Sequence, residues 1–386
     1  MTEKYNDLFD LLLQTQSEDF LSDVMKFSLQ KLMDVDVSNH LKASLNEQTE
    51  TRQGYRNGYR SRNLNTRVGT LSLQIPKLRN GTYFPGFLNH YKRTEKALVS
   101  VIQEAYVQGV STRKMEDLVQ HLGVEGMSKS QVSELCTDIQ SEVTSFLEAP
   151  ICGEWPYVYL DAVYIKVREN KRVVSKAAVV AIGINSSGNR RILGFKMTES
   201  EAFVFWKEFL DTLVERGLTG VKLLISDAHN GLREAIEKTF LGASWQRCWV
   251  HFMRNVLSYV PKKNMAEIAG YFKSITAFKT AEERSKQWQH IMNLLKEKYP
   301  KIANLMQAAE ADVLAHTHFP EEHWSKIYSN NPLERLNREI KRRTNSIGIF
   351  PNDLAATRLL GAVLIHWDEE WSQGRQYLKY DTIQMI

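Results

Sequence analysis

The order of predicted strands and helices from residue 157 to residue 249 constrains the fold more than any other feature of this sequence. The stretch "YVYLDAVYIK" predicts a strand that runs to about Arg168, and "KAAVVAIGI" and "RILGFKM" predict two further strands joined by "NSSGNRR". A helix is expected from about Glu199 to Arg216. The strand "VKLLIS", the helix "LREAIEKTF" and a short strand at "SWQRCW" should follow. Three hairpin-joined strands followed by alternating helices and strands are typical of a mixed α/β sheet.

Asp161 lies within the first of these predicted strands. Because side chains alternate between the two faces of a strand, Asp161 shares one face with Tyr159 and Val163, while Leu160 and Ala162 share the other. Both faces are apolar, as expected for a central strand. An ionised carboxylate in such a place is costly unless it is paired, hydrogen-bonded or bound to a metal. Asp161 therefore indicates either an error in the strand prediction or the start of a site.

Asp227, at the end of the fourth predicted strand, is the second acid of interest. The predicted order is that of a ribonuclease H-like sheet, in which the first and fourth strands are neighbours, and ligands tend to bind at the carboxyl ends of such strands. Two carboxylates meeting there would repel each other unless cations lay between them. Two Mg²⁺ or Mn²⁺ ions about 3.5–4 Å apart are the usual arrangement for in-line phosphoryl displacement. Mg²⁺ prefers several oxygen ligands, so a third acid is expected.

Glu334 is the best candidate for that third acid, although its position also suits a helix cap. In "NNPLERLNREIKRR", Asn331 is the expected N-cap and Pro332 the first helical residue. Glu334 comes three residues after Asn331, which is the spacing of a capping box. Taken alone, this spacing favours capping.

The rest of the same predicted helix favours a metal ligand beside a DNA backbone. Arg338 and Lys341 follow Glu334 at four and seven residues, on one face of the helix, and Arg342 is close by. These three cations are candidates for DNA binding. Glu339 and Glu201 are weaker substitutes for the third acid.

The segment from Thr51 to Thr94 carries a strong positive charge. It contains nine Lys or Arg residues and no Asp or Glu, although the net charge of the 386-residue chain is only +5. A local positive field on a nearly neutral body favours binding to a polyanion, most often nucleic acid; the alternative is a solvated basic hairpin. Interleaved aromatic residues and the lack of acids favour nucleic acid. The DNA-binding candidates in this segment are Arg52, Arg56, Arg60, Arg62, Arg67, Lys77 and Arg79.

A helical stretch follows the basic segment. The sequence "GVSTRKMEDLVQHLGVEGMSKSQVSELCTDIQSEV" predicts two short helices, of which the second runs from about Ser128 to Val143. Two helices joined by a short Gly-containing turn suit a helix-turn-helix, with Lys129, Ser130 and Gln131 leading the second helix into a DNA groove. Helical hairpins are also common in proteins that never touch DNA, so the neighbouring basic segment is what favours this role.

These patterns predict a ribonuclease H-like mixed sheet with an all-α insertion, preceded by helical and helix-turn-helix DNA-binding domains. In the basic segment, "GYRNGYRSRN" is expected to be a turn and "RVGTLSLQIPKL" a strand. The expected segments are 1–94, a helical region with the basic hairpin; 95–150, the helix-turn-helix; 151–261, the first part of the catalytic core; 262–325, the all-helical insertion; and 326–386, the second part of the core with the Glu334 helix.

Several classes of protein are disfavoured by composition. The sequence has no run of 18 apolar residues, so no membrane-spanning helix is expected. Its N-terminus lacks the basic start and cleavage site of a signal peptide. The three cysteines lie far apart, which favours a reducing compartment over a disulfide framework. A cytoplasmic protein with no membrane partner is therefore expected.

With the two strand-borne aspartates, the motifs "RCWVHFMRN" and "NNPLERLNREIKRRT" make the sequence similar to the bacterial Mutator-like insertion-sequence transposases over nearly the whole chain. That resemblance implies an Asp-Asp-Glu (DDE) triad in a ribonuclease H-like fold, matched here by Asp161, Asp227 and Glu334, with two Mg²⁺ or Mn²⁺ ions. It also implies binding to terminal inverted repeats and target DNA, strand cleavage and strand transfer, by a circular intermediate or by cut and paste. Joining two ends implies a homodimer on DNA, in the bacterial cytoplasm and on the nucleoid when bound.

Cys248 and His251, in a Cys-x-x-His motif, have more than one interpretation. They would make half of a zinc site, but no second pair is evident, because His316 and His318 stand too isolated. A small buried cysteine is the commoner fate of Cys248. The family resemblance places the pair near the active site, where His251 would orient the scissile phosphate or a catalytic carboxylate.

Two further residues and two rival functions remain open. His229 either neighbours the metal ions or lies in a turn, and Trp324 either stacks on an unpaired base or packs in a helical core. The first rival function is a ribonuclease H-like nuclease or resolvase that hydrolyses DNA without strand transfer. The second is a helix-turn-helix DNA-binding protein whose acids are structural.

Overall fold

The computed structural model describes residues 20–86, 88, 94–124 and 127–386, and the chain divides into two compact units, Met1–Thr137 and Asp138–Ile386. Residues 1–19, whose stretch "LFDLLL" belongs to the helical region expected within 1–94, and the basic residues Lys92 and Arg93 lie outside the described residues. Within the part of the chain that is described, no helix combines the length and the apolar character needed to cross a lipid bilayer.

In the first unit, a long helix packs on a two-stranded antiparallel ribbon. Helix α1 spans Phe20–Leu41, and the ribbon consists of strands β1, Arg56–Thr66, and β2, Gly69–Leu78. Alternate aliphatic side chains of β2 are buried in one core with Met33 and Val37 of α1. The period of two along β2 therefore gives the ribbon a covered face and an open face.

The turn predicted for "GYRNGYRSRN" is wrong, because this stretch forms most of β1. Strand β2 supplies pairing partners along nearly all of β1. The pairing is irregular only between Arg56 and Tyr59, where Gly58 has a φ of 74° that glycine adopts without strain. Cross-strand pairing thus overrides the turn preference of the Gly and Asn residues.

Three helices follow the ribbon: α2, Lys96–Val107; α3, Thr112–His121; and α4, Lys129–Leu135. The prediction that the last of these runs to about Val143 is wrong. The backbone N–H of Thr137 donates to the carbonyl of Glu134, three residues back, which closes a turn and ends the helix. A separate helix α5, Asp138–Glu148, begins the second unit.

The second unit contains the predicted mixed sheet. Its strands are β3, Tyr157–Glu169; β4, Arg172–Ile184; β5, Arg190–Thr198; β6, Leu223–Ser226; and β7, Ser244–Arg247. Their order in space is β5-β4-β3-β6-β7. Strands β3, β4 and β5 pair antiparallel, whereas β6 runs parallel to β3 and β7 parallel to β6. All five strands expected from the sequence are confirmed.

Two helices cover one face of this sheet. Helix α6, Phe203–Glu215, and helix α7, Asn230–Thr239, follow β5 and β6. Trp206 of α6 lies in one buried cluster with Val158 and Leu160 of β3. Helix α6 begins four residues later than the predicted Glu199.

A helical insertion separates β7 from the last helices of the unit. It contains α8, Trp249–Ser258; α9, Met265–Ala277; α10, Ala281–Leu295; α11, Pro300–Val313; and α12, Glu321–Ile327. Aromatic residues, among them Phe252, Phe272 and Trp288, fill a core of its own. The helical character predicted for this stretch is confirmed.

The chain then returns to the sheet through α13, Asn331–Ile347, and α14, Asp353–Gln373, and ends with the short helix α15, Tyr380–Ile383. Helix α13 contacts β3, and α14 contacts β5. Asp161 faces α13, while its neighbours Leu160 and Val158 face α6. The sheet is therefore covered on both sides, which explains why β3 is apolar on both faces.

Candidate active site

Asp161 and Asp227 lie where β3 passes the end of β6. The two strands pair in parallel, with Tyr159 opposite Ile225, and Asp227 directly follows the last residue of β6. Continuing this register by two residues sets Asp227 alongside Asp161. The strands of the two aspartates are thus neighbours, and the acids meet beside the carboxyl end of β6, the kind of place where α/β proteins tend to bind ligands.

The Asp161 carboxyl group is only partly exposed, and its pKa is raised to about 7. Burial is the largest cause, and the negative charges of Asp227, Glu201 and Glu334 raise the pKa further; a hydrogen bond from the Ala162 N–H to Oδ1 opposes them. Four carboxyl groups from separate parts of the chain therefore interact electrostatically at one place.

Glu334 lies in the first turn of α13, but not at the spacing of a capping box. The cap position is held by Asn330 rather than the predicted Asn331, and the Asn330 side chain makes no capping hydrogen bond. Instead, its Nδ2 donates to the carbonyl of Leu160 at 3.1 Å, and its backbone N–H donates to Sγ of Cys248 at 3.3 Å. The start of α13 is thereby fastened to β3, and the Glu334 carboxyl group remains partly exposed.

Asn337, which sequence reasoning missed, contacts Asp161 directly. It is buried on α13 three residues after Glu334, and its Nδ2 donates to Oδ2 of Asp161 at 2.8 Å. Its Oδ1 is buried and has no hydrogen-bond partner among the described residues. The only signal in the sequence was its spacing from Glu334, which places both side chains on one face of the helix.

Cys248 connects the end of β6 with the start of α13. Its backbone N–H donates to the carbonyl of Ser226 at 2.7 Å, next to Asp227, and its Sγ accepts the hydrogen bond from Asn330. Burial raises the pKa of the Cys248 thiol to about 11, so the group is a neutral thiol at physiological pH. Its contacts fit a structural role in which it holds two acid-bearing elements together.

His251 lies in the first turn of α8, with Nε2 at 3.9 Å from Oε1 of Glu334. Burial lowers the pKa of His251, and the nearby charges of Asp227 and Glu334 partly offset that effect. Its Nδ1 is buried without a hydrogen-bond partner among the described residues. An imidazole in this position can orient a carboxylate or a phosphate oxygen by donating from Nε2.

His229 and Trp324 have other surroundings. His229 is the residue before α7, and its backbone N–H lies 3.4 Å from Oδ1 of Asp227. Trp324 is buried, its Nε1 donates to the carbonyl of Phe319 at 2.7 Å, and the guanidinium of Arg284 lies over its ring at 4.3 Å. Much of the Trp324 ring is therefore already covered by protein.

The carboxyl groups around Asp161 have the chemistry that Mg²⁺ or Mn²⁺ requires. Both are hard cations that prefer oxygen ligands, and the mutual repulsion that raises the Asp161 pKa is what a bound cation would relieve. Within the described residues, no three His, Cys, Asp or Glu side chains are placed to hold one metal ion together. The oxygen donors around Asp161 fit the chemistry of these metals.

Nearly the whole chain is similar to one family of known proteins. Residues 2–374 match the family described as "Transposase, Mutator family". The chain belongs to the Mutator family of transposases. It is 41% identical over 378 residues to the transposase for insertion sequence element IS1081 of Mycobacterium tuberculosis, covering 97% of this chain and 91% of that relative. It is 38% identical over 386 residues to the transposase for element IS256 in transposon Tn4001 of Staphylococcus aureus, covering 98% of each.

Among solved structures, the Mos1 mariner paired end complex with Mn shares 11% sequence identity with this Mutator-family chain. The likeness covers 42% of this chain and 61% of the other, with a TM-score of 0.15. A likeness this slight carries no argument about the fold.

The DNA-binding candidates on α13 are exposed in this Mutator-family chain. Arg338, Lys341 and Arg342 all reach the surface, on the helix that carries Glu334. Arg342 also pairs with Glu339 at 3.0 Å, which engages the acid considered as a weaker substitute for Glu334. The three cations therefore lie on the same helix, α13, as the carboxyl group of Glu334.

The Lys and Arg side chains of the ribbon differ in their exposure and in their contacts with other residues. Lys77 and Arg79 are exposed, and the guanidinium groups of Arg60 and Arg62 lie over the ring of Phe84 at 5.7 and 5.0 Å. All four remain at or near the surface of the first unit.

The Arg56 side chain is held by hydrogen bonds within the first unit. Its guanidinium donates to Oδ1 of Asp34 at 3.1 Å and to Oγ of Ser38 at 2.8 Å, and its side chain is 10% exposed. Arg52 lies over the ring of Tyr55 at 4.4 Å, and Arg67 is 3.7 Å from Glu95. Of the seven cations predicted on this segment, Arg56 is the one with the least freedom to contact DNA.

The candidates on α4 stand at its start. Lys129 is the first residue of the helix, and Ser130 is exposed. Gln131 belongs to a capping box, in which its Oε1 accepts the Ser128 N–H at 2.8 Å and its own N–H donates to the Ser128 hydroxyl. Part of the hydrogen-bonding capacity of Gln131 is therefore already used inside the protein.

Proposed function

We propose that this chain is a DDE transposase that binds the terminal inverted repeats of its insertion sequence and catalyses metal-dependent cleavage and strand transfer. Membership of the Mutator family supports the transposase role. The proposed catalytic activity rests on one observation: burial and three neighbouring acids raise the pKa of the Asp161 carboxyl group. Such clusters of perturbed carboxyl groups are typical of catalytic sites.

The strand order supports a ribonuclease H-like core. Numbered from β3 as the first strand, the sheet has the order 3-2-1-4-5, with the first three strands antiparallel and the last two parallel to the first. This is the order expected for such a core, with Asp161 on the first strand and Asp227 directly after the fourth.

In the proposed reaction, Asp161, Asp227 and Glu334 would hold two Mg²⁺ or Mn²⁺ ions. When bound, such ions activate the attacking oxygen and stabilise the leaving oxygen of an in-line phosphoryl displacement. Asn337 fixes the orientation of the Asp161 carboxylate through its 2.8 Å hydrogen bond. His251 orients Glu334 or a phosphate oxygen, and Cys248 keeps the end of β6 against the start of α13.

The remaining parts of the proposal concern DNA and assembly. The basic ribbon and helices α3 and α4 would bind the element's ends, and the cations of α13 would contact DNA beside the acids. Because two ends must be joined together, we propose a homodimer on DNA. The protein would act on the bacterial chromosome in the cytoplasm.

The first test is metal-dependent cleavage of a labelled duplex that carries the element's terminal repeat. The variants Asp161→Asn, Asp227→Asn and Glu334→Gln should abolish cleavage in Mg²⁺ and Mn²⁺ while leaving end binding intact. Glu339→Gln, on the same helix, is the matched control and should cleave normally. If Glu334→Gln cleaves and Glu201→Gln does not, the third acid is Glu201.

A second measurement separates a transposase from a nuclease. Donor ends incubated with a target plasmid should give joined products, because strand transfer uses the freed 3′-hydroxyl as the attacking group. Nicked products without joining would indicate a nuclease or resolvase. Binding without any cleavage by the wild-type protein would favour the non-catalytic DNA-binding alternative.

A further inference from the structure

The β1–β2 ribbon has one face that the first unit leaves open. Residues directly opposite each other in an antiparallel pair project to the same side. Two such pairs, Ser61 with Gln74 and Asn63 with Ser72, are exposed and uncharged. We call these four residues the open face of the ribbon.

The opposite face of the ribbon packs against the core of the first unit. Here Arg60 stands opposite Ile75, and Arg62 opposite Leu73; both aliphatic side chains are buried in the core that α1 covers. The guanidinium groups on this side lie over Phe84. The four residues of the open face therefore carry no charge, and the guanidinium groups of Arg60 and Arg62 lie on the other side of the ribbon.

Hydrogen bonds hold the ribbon near its tip and along one edge. Near the tip, the Thr70 N–H donates to the carbonyl of Gly123 at 3.1 Å. Along the free edge of β2, the side-chain amide of Gln30 makes two hydrogen bonds, to the backbone carbonyl and N–H of Gln74, at 2.8 and 3.1 Å. These contacts fix the direction in which the open face points.

Two side chains on the open face have unused hydrogen-bonding capacity. Ser61 and Gln74 bond to each other, with the Gln74 amide 3.0 Å from the Ser61 hydroxyl. For Asn63 and Ser72, by contrast, the described residues provide no side-chain hydrogen-bond partner. An exposed amide and hydroxyl on a hydrogen-bonded strand pair are suited to reading the edges of bases.

We propose that the open face of this ribbon enters the major groove at the element's ends and reads base edges there. This inference rests on the proposed function. The major groove admits a two-stranded ribbon, and Asn, Gln and Ser side chains pair with base edges exposed in it. The surrounding segment, with nine cations and no acids between Thr51 and Thr94, supplies the charge complementarity to the phosphates on either side.

Helix α4 is the competing reader of sequence. It has only seven residues, and Gln131 at its start is engaged in the capping box. The ribbon strands have eleven and ten residues and present their uncharged groups in a row. The geometry therefore assigns base reading to the ribbon and leaves α4 to contact the backbone.

The test compares specific with non-specific binding by the full-length protein. The probes are a fluorescein-labelled duplex carrying the terminal repeat that flanks the coding sequence and a shuffled duplex of the same composition. The double variant Asn63→Ala/Ser72→Ala should lose about tenfold or more of the preference for the repeat, with affinity for the shuffled duplex within about twofold of wild type. The matched control, Asn39→Ala/Ser44→Ala, removes an exposed amide and an exposed hydroxyl away from the ribbon and should change neither.

Phosphate contacts should behave differently. Lys77→Ala should weaken binding to both duplexes by a similar factor and reduce the dependence of binding on salt. As a measurement that does not depend on a variant folding well, methylation of guanine N7 in the repeat should interfere with binding by the wild-type protein, because N7 lies in the major groove.

The outcomes separate the two proposals. A double variant that keeps the full preference for the repeat, or binding insensitive to N7 methylation, overturns the ribbon inference and leaves the proposed transposase intact. A wild-type protein with no preference for the repeat overturns end recognition, and the ribbon inference with it. Circular dichroism of the double variant must match wild type, and if it does not, the single variant Asn63→Ala is measured in its place.

Discussion

Nδ2 of Asn337 donates a hydrogen bond of 2.8 Å to Oδ2 of Asp161, across 176 residues of sequence. Asn337 follows Glu334 by three residues, so one face of α13 carries both an acid and the amide that orients another acid. The position of α13 against β3 therefore sets the geometry of two of the three proposed metal ligands at once.

Replacing Asn337 should impair catalysis without impairing DNA binding. Asn337→Leu keeps the side-chain volume but removes the amide, so the Asp161 carboxylate loses a donor that fixes its orientation. We expect the single-turnover cleavage rate to fall about tenfold to a hundredfold, as for other residues that orient metal ligands. Asn345→Ala, an exposed asparagine on the same helix, is the control. An unchanged rate for Asn337→Leu, with a normal requirement for Mg²⁺, would show that the hydrogen bond has no positioning role.

Asp161→Asn should stabilise the metal-free protein at neutral pH. The pKa of Asp161 is about 7 in the folded protein and 3.8 as its ordinary value, so the folded state binds the proton more tightly. The stabilising contribution of protonated Asp161 is complete below about pH 4 and is lost as pH rises through 7. Asparagine stays neutral throughout this range.

The advantage of Asp161→Asn in free energy of unfolding should therefore grow from pH 4 to pH 7 and then level off, reaching about 2–4 kcal/mol. Urea unfolding in EDTA at several pH values measures it. A difference between the two proteins that stays constant with pH would contradict the raised pKa.

Divalent cations should stabilise the wild-type protein through the same carboxyl groups. A ligand that binds only the folded state raises the Tm by mass action. Added Mg²⁺ or Mn²⁺ should raise the Tm of wild type and of Glu339→Gln, and should have little effect on Asp161→Asn or Asp227→Asn. Thermal unfolding followed by intrinsic fluorescence is sufficient, and no DNA is needed. An equal rise in all four proteins would mean that the ions bind elsewhere.

Cys248 should contribute to stability through its contacts rather than through reactivity. Cys248→Ala removes the acceptor of the Asn330 N–H and leaves a small void, which should cost about 1–3 kcal/mol in free energy of unfolding. Cleavage should fall as well, because the start of α13 loosens. Cys152→Ala, at an exposed position, is the control and should be neutral. A stable Cys248→Ala protein that fails to cleave would instead indicate a direct role of the thiol.

Much of the fold around the acids could be predicted because its signals are local. Three hairpin-joined strands and two helix–strand repeats are visible as apolar runs between turns, and the strand order then places Asp161 and Asp227 side by side. Asp161 itself stands out because it is charged within a strand that is apolar on both faces.

The features that sequence reasoning missed depend on partners distant in the chain. The Gly and Asn residues of β1 favour a turn locally, and only pairing with β2 makes them a strand. Asn330, not Asn331, holds the cap position, and its side chain makes no capping bond because it donates to the Leu160 carbonyl, 170 residues away. In the sequence, Asn337 is one polar residue among many in a charged helix. Its contact with Asp161 depends on the packing of α13 against β3.

Cys248 and Asn330 meet although 82 residues separate them in sequence. A second bond, from the Trp249 N–H to the Tyr328 carbonyl at 3.0 Å, closes the same junction. The helical insertion therefore leaves and re-enters the core at one junction, and it also packs on β7, where Nε2 of Gln246 donates to the Val313 carbonyl at 2.8 Å. Evolution could therefore lengthen or shorten the turn between α9 and α10, which lies beyond this junction, while His251 and the proposed metal ligands stay where they are.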